Sequence, residues 1–505
     1  MGRCHEFQNV KYMRSSLVLL LVWVPLFSFG QLVGDRTHQQ LSKNRSLETS
    51  LYMLNHWTPD LDLARENELA AIAYTVFSGD IQADFGDLVG DPGYLDWVES
   101  GKELLLGGPI WGAVSEEGAD LWLRTAQPAE VEIWVQDGQE RRTLGPIRTE
   151  VKTDLSAVFQ ISGLEAGRSY PVKIIINKVE WAGDSILTLN TLPRDSSLRV
   201  AFGTCFHRWG LGNTHQVTQI LARKPHAMLL GGDIAVQDRR NQIGMHRFDY
   251  LMRDQFPAWR QLSSRVPVYA TWDDHDYMDD DLSGVPDGFT EADRSAIREV
   301  FTRSWANPGF GNERKQEGVY FKTSIGSVDV IMVDNRYFRD EKTGAFLGND
   351  QMEWLEQQLL SASGKFIILS CGTMWSDYVS SGKDSWGVWD PVGRERFFQL
   401  IEKHRIPGVL LISGDRHGAR GFAIPRSSGF RFYEFEPASL GGRHGPVAID
   451  PAWETQLFGF DNTYAFGEFT FETHLDDPEV TFRLVREDGD VLYTLNLKRS
   501  ELTPP

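Results

Sequence analysis

The stretch Val266-Pro267-Val268-Tyr269-Ala270-Thr271-Trp272-Asp273-Asp274-His275-Asp276 decides the fold. It begins as a short apolar run of β-branched and aromatic residues, the composition of a buried strand. It then breaks into four ionisable side chains. The same passage from apolar run to ligand-type residues recurs along the chain. Leu198–Gly203 runs into Thr204-Cys205-Phe206-His207, Ala227–Leu230 into Gly231-Gly232-Asp233, and Val409–Ile412 into Ser413-Gly414-Asp415-Arg416-His417. Val328–Val333 and Phe366–Ser370 are further apolar runs, and helical spacing is found over Glu291–Ser304, Gln351–Leu360 and Arg394–His404. Continuous apolar strands separated by helices predict an α/β fold whose sheet is covered on both faces. In such sheets ligands bind beyond the carboxyl ends of the strands, so the four polar clusters are expected to converge on one crevice. Taken singly, a Gly-Asp after a strand is usually a turn or cap, and an Asp-rich run is usually a solvated loop. Four in succession, made of Cys, His and Asp, point to a site for two metal ions.

Outside this region the pattern changes. Residues 31–105 are polar and then helix-like, notably Leu61 to Phe77, and carry no evident chemistry. Residues 106–193 alternate, as in Val131-Glu132-Ile133-Trp134-Val135 before the turn dipeptide Asp137-Gly138. Leu164, Gly167 and Tyr170 have the L-x-x-G-x-x-Y spacing of a tyrosine corner, which resembles a fibronectin type III or immunoglobulin-like β-sandwich. Thr191-Leu192-Pro193 reads as a linker, 194–500 as the α/β unit, and Tyr464 to Leu497 as an alternating tail with a turn at Asp488-Gly489.

The first thirty residues read as a targeting signal. Arg3, Lys11 and Arg14 precede the apolar run Leu17 to Phe29, which ends in Ser28-Phe29-Gly30. This is the form of a Sec-type signal peptide cut after Gly30, and the run is short for a membrane span. A secreted or periplasmic chain with no membrane span after cleavage is expected. Of the three cysteines, Cys4 lies in this segment. In an oxidising compartment Cys205 and Cys371 could form a disulfide, but Cys205 also stands where a metal ligand would.

The 505 residues carry a net charge of −19, with 41% hydrophobic and 24% charged residues. The mix is globular. Loss of residues 1–30 removes three basic residues and one acidic one, leaving −21. Such acidity argues against tight nucleic-acid binding, which rests on Lys and Arg, and against adhesion to an anionic membrane. It is compatible with cation sites, since six aspartates lie between 273 and 281. No sequence feature specifies an oligomeric state.

The order Cys205 after a strand, Gly232-Asp233, Trp272-Asp273-Asp274-His275 and Ser413-Gly414-Asp415-Arg416-His417 resembles the PhoD-like alkaline phosphatases of the calcineurin-like metallophosphoesterase superfamily. Asp334-Asn335-Arg336, Leu347-Gly348 with Gln351 and Trp354-Leu355, and Lys383-Asp384-Ser385-Trp386 support the resemblance, which covers about residues 106–500. It implies a four-layer fold of mixed β-sheets flanked by helices, preceded by the small sandwich. It also implies hydrolysis of a small phosphate mono- or diester by a metal-bound hydroxide. By position, the metal ligands would be Cys205, His207, Asp233, Asp274, Asp415 and His417, with Asp233 bridging. His275 would act as the acid or phosphate-polarising group. Arg416 and Arg336 would pair with phosphate oxygens, although Arg336 could instead form a buried salt bridge with Asp334. Lys383 and Trp386 would line the substrate pocket, although Trp386 could equally be a core residue.

The resemblance further implies Fe³⁺ and Ca²⁺ as the metals. One position departs from it: the family's Gly-Asp-x-x-Tyr motif, whose Tyr binds ferric iron, ends here in Val236. A valine cannot ligate, and His207 or Asp238 would have to compensate. Two alternatives compete. A purple-acid-phosphatase-like enzyme shares the superfamily, but its Gly-Asn-His-Glu and Gly-His-x-His motifs do not stand here. A calcium-binding extracellular adhesion protein would explain the acidity but not His207, His275, Arg416 and His417. Metal identity separates an enzyme from an adhesion protein.

Overall fold

The computed structural model describes residues 45–183, 186–194, 196–376, 385–445, 448–450 and 453–505. The signal-like segment and Lys383 lie outside the described residues.

Two sheets pack face to face. One has the strand order Val268–Ala270, Ala227–Leu230, Leu198–Gly203, Ala465–Glu472, Glu479–Arg486, Val491–Lys498, its first three strands parallel. The other runs Phe321–Ile325, Val328–Met332, Phe366–Ser370, Val409–Ile412, Arg431–Glu436, Ala419–Pro425, Gln456–Phe460, with a parallel block from Val328–Met332 through Arg431–Glu436. Phenylalanines fill the space between them: Phe202 lies 4.9 Å from Phe469, and Phe435 4.3 Å from Phe482, between ring centroids.

Helices cover the outer faces, which explains why the strands are apolar without alternation. In Ala227–Leu230, Met228 and Leu230 join the helical core while Ala227 and Leu229 join the inter-sheet core. In Val328–Met332, Ile331 faces Leu355 and Phe397 of the helices Gly348–Leu360 and Pro391–His404, whereas Val330 and Met332 face inward. The result is the expected four-layer α/β/β/α arrangement. Four of the expected strands have the predicted ends, and Val266–Thr271 shortens to Val268–Ala270. The final three antiparallel strands extend one sheet and are the alternating tail read in the sequence.

A smaller pair of antiparallel sheets precedes this body. Leu105–Gly112, Ala119–Thr125 and Ser156–Ile161 form one; Glu130–Asp137, Glu140–Arg148, Ser169–Ile176, Val179–Glu180 and Leu187–Asn190 form the other. The Tyr170 hydroxyl accepts the Glu165 N–H at 2.9 Å, closing the tyrosine corner. No disulfide joins Cys205 and Cys371, both of which are buried.

The small sheets are fixed to the body by buried polar contacts. Trp111 Nε1 donates to the Ser264 carbonyl at 3.0 Å, and Trp122 Nε1 to the Arg303 carbonyl at 2.9 Å. Beside Trp122, the fully buried Arg253 donates to Asp254 at 2.8 Å and to the Ser304 carbonyl at 2.9 Å. Its guanidinium sits 4.5 Å from the Trp305 ring, 5.1 Å from Trp259 and 5.5 Å from Trp122. Removing one partner of a buried ion pair is far costlier than losing a surface pair. Arg253→Met should therefore destabilise the fold by roughly 3–5 kcal/mol, read as a lowered midpoint in chemical denaturation, with Arg253→Lys intermediate.

Candidate metal centre

The parallel strands all point their carboxyl ends toward one edge of the two sheets, and the predicted ligands gather there. Cys205, His207, Asp233 and His417 are all buried, and each offers a ligand atom within 4.8 Å of the others. Asp233, Asp274 and His275 form a second such group, and Asp273, Asp274 and Asp415 a third. Asp233 thus belongs to two groups, as a bridging carboxylate would. Cys205 Sγ lies 3.5 Å from Asp233 Oδ2, and the Nε2 atoms of His207 and His417 face one another at 3.3 Å.

The backbone holds these side chains in an uncommon conformation. Cys205, His207, Asp233, Asp415 and His417 all have positive φ, between 47° and 75°. Non-glycine residues seldom adopt this region, and a concentration of them marks a site whose geometry the surroundings over-determine. The surroundings are visible. Asp276 accepts the N–H groups of Ile234, Ala235 and Val236 at 3.0–3.2 Å, tying down the loop that carries Asp233. Burial still pushes the Asp276 carboxyl up to about 6. On the other side the Cβ that Gly442 lacks would fall 2.2 Å from His207 Cδ2, so the loop can cross the imidazole only as glycine.

Electrostatics test whether a cation fits. Burial, reinforced by Asp274 and Asp273, drives the Asp233 carboxyl well above its ordinary range although His275 opposes the shift. Its Oδ1 is buried with no hydrogen-bond partner. Burial and Asp233 push the Cys205 thiol up. Burial and the neighbouring cations hold His207 and His417 well below the usual imidazole range, leaving both neutral as ligands must be. Buried carboxylates, a thiol and neutral imidazoles with an orphaned carboxylate oxygen suit metal ions, which would reverse the shifts of the acidic groups. The donor set fits.

His275 is placed differently. Its Nδ1 bonds Asp238 Oδ1 and lies 3.2 Å from Gln237 Nε2, and its Nε2 is 3.9 Å from Asp280. Burial opposes its protonation, but Asp274, Asp233 and Asp238 outweigh burial and raise its pKa well above the ordinary value. Gln237, which the sequence reading did not single out, connects the two histidines: its Oε1 is 2.9 Å from His207 Nδ1. That contact directs Nε2 of His207 toward His417. Val236 is buried and supplies only its N–H to Asp276.

Two expectations change. Arg336 is fully buried and donates through Nε to Asp273, with NH2 3.7 Å from Asp274. Its charge partners are therefore those carboxylates, and Asp334 receives only its backbone N–H at 3.0 Å. A guanidinium so enclosed is placed to orient those carboxylates. Trp386 is fully buried beside Trp375, Phe346 and Phe397, so it belongs to the core. Arg416 keeps part of its side chain exposed and donates to Asp415 at 3.1 Å. Arg443, which the sequence reading missed, brings Nε to 3.4 Å from His417 Nδ1.

Residues 237–445 match the family model of the PhoD-like phosphatases. Over that stretch, 209 of the 505 residues, the chain is similar to the PhoD-like phosphatases. The match indicates a phosphoester hydrolase. Cys205, His207 and Asp233 precede the matched residues and join the family's portion only in space. Residues 102–185 match a domain of unknown function, DUF7800. No curated protein matches the chain. Among solved structures, one described as the structure of PhoD superposes with a TM-score of 0.64 at 17% identity, covering 79% of this chain and 89% of that one. It shares the fold. GAP50, the anchor in the inner membrane complex of Plasmodium, matches at a TM-score of 0.39 and 12% identity, covering 60% of this chain and 89% of its own. Among the described residues no helix is long and apolar enough to cross a membrane.

Outer residues that fix metal ligands typically matter about 10–100-fold to metal affinity. Asp276→Ala should weaken metal binding by about that factor, measured by calorimetric titration of the metal-stripped protein, with the circular dichroism spectrum unchanged.

Proposed function

We propose that the chain is a secreted two-metal phosphoesterase acting on small phosphate mono- or diesters. The observation that carries the reading is Asp233, shared by two groups of buried ligand-type side chains and left with an unsatisfied oxygen. Cys205, His207, Asp233 and His417 would hold one ion. Asp233 and Asp274, with Asp273 or Asp415, would hold the other. Fe³⁺ and Ca²⁺ are the pair proposed from the family. The thiolate and imidazoles suit the transition metal, and the all-carboxylate side suits a hard cation. When bound, such ions supply positive charge for the phosphoryl oxygens and a water acidic enough to attack as hydroxide.

The protein's own groups do the rest. His275, held at Nδ1 by Asp238, keeps a proton on Nε2 and delivers it to the departing oxygen. Arg416, partly exposed beside Asp415, pairs with a phosphoryl oxygen, since its guanidinium fork matches that geometry. Arg336 neutralises Asp273 and steadies Asp274. Lys383 remains a proposed substrate contact by resemblance alone. Secretion rests on the signal-like residues 1–30.

Asp233→Ala should abolish hydrolysis of 4-nitrophenyl phosphate and bis-4-nitrophenyl phosphate and lower the metal content found by elemental analysis, while the fold persists. Chelation should remove activity, and metal return should restore it. Turnover that survives in a verified metal-free sample would overturn the proposal.

A further inference from the structure

The described chain begins at Arg45, in a segment whose sequence carries no evident chemistry, yet this residue reaches the acid side of the metal centre. Its NH2 lies 3.0 Å from Asp238 Oδ2 and 3.4 Å from Asp279 Oδ1. The two oxygens of Asp238 are divided. Oδ1 takes His275 Nδ1, while Oδ2 takes Arg45 and the Gln237 amide, the latter at 3.0 Å. Gln237 alone would still hold Oδ2 through a neutral amide; Arg45 adds a charged donor there, which further restricts rotation about the Cβ–Cγ bond and so fixes the imidazole plane.

The segment is itself anchored beneath the same loop. Arg239 NH1 donates to the Arg45 carbonyl at 3.3 Å, and Arg239 forms a two-pronged pair with Asp249 at 2.6 Å for each bond. Asp249 also accepts the Gln237 N–H at 3.2 Å. Arg208 donates to Ser50 Oγ at 3.1 Å, one turn into the helix Leu47–His56. Arg45 and the start of that helix are thus bound to the elements bearing His207, Gln237 and Asp238.

We infer that Arg45 is a positioning residue: by holding Asp238 Oδ2 it aims His275 at the leaving-group oxygen. The inference rests on His275 being the proton donor proposed above. Arg45 is partly exposed, so its pair with Asp238 adds little to stability. Its weight falls on orientation, where small misalignments are expensive.

A leaving-group comparison on the full-length, metal-loaded protein tests this. A nitrophenolate departs without a proton, whereas a simple alkoxide needs one. Arg45→Ala should lower kcat for an alkyl phosphate by about tenfold or more, leave kcat for 4-nitrophenyl phosphate nearly unchanged, and leave KM and metal content as they were. Arg45→Lys should recover most of the loss. In an Asp238→Asn background, Arg45→Ala should add nothing. Should the alanine variant not fold, Arg45→Gln carries the same comparison. Equal losses on both esters, no loss on either, or a loss that multiplies with Asp238→Asn would overturn the inference. Failure of the wider functional reading is distinct, because the unaltered chain would then cleave neither ester.

Discussion

Concentrated negative charge is the constraint on which the rest of this structure depends. Asp233, Asp273, Asp274 and Asp276 are almost completely buried and lie close together, with the Cys205 thiol beside them. Like charges in a poorly hydrated interior repel by several kcal/mol at contact distances, so carboxylates gathered in this way protonate or take up cations. Two protein cations compensate part of the charge, Arg336 on Asp273 and His275 against Asp274 and Asp233. Asp233 keeps a buried oxygen with no partner. Metal ions would meet the remainder, and they would reconcile an acidic protein with an anionic substrate: the charge that repels phosphate would bind the ions that attract it.

The fold meets that demand through strand direction. Parallel strands deliver their carboxyl ends to one edge, and the chain leaves each strand in a tight turn. Left-handed residues at Cys205, Asp233 and Asp415 turn the side chains into the crevice at once. The Asp276 carboxylate then fixes one of these turns by accepting three successive N–H groups. Local backbone strain is held by a residue that is not itself a ligand.

Much of this was legible in the sequence because it rests on short-range pattern. Ala227–Leu230 and Val409–Ile412 are apolar on both faces since helices lie on one side and a second sheet on the other, and that reads as an unbroken run. Tyr170 was legible because its bond to Glu165 closes within five residues. What was hidden depends on contacts far apart in the chain. Arg336 next to Asp334 suggested a local pair, but tertiary packing directs its side chain to Asp273. Trp386 beside Lys383 suggested a pocket wall, yet the aromatic core takes it. Gln237 carries no chemical signal of its own, and only its position between His207 and His275 gives it one.

The same logic bears on where the functional unit ends. The PhoD-like match starts at Gln237, yet three of the four buried ligand-type side chains in the Cys205–His417 group lie upstream of it. The matched residues also leave out Leu198–Gly203 and Ala227–Leu230, two of the three parallel strands of the first sheet. Without them Asp274 and His275 would keep their sequence but lose the turn that Asp276 braces, and His275 would lose Arg45 behind Asp238. The chemistry therefore belongs to an assembly of segments, the helical lead-in and the first two strands included. The matched stretch supplies one of the four side chains, His417, that would hold the first ion.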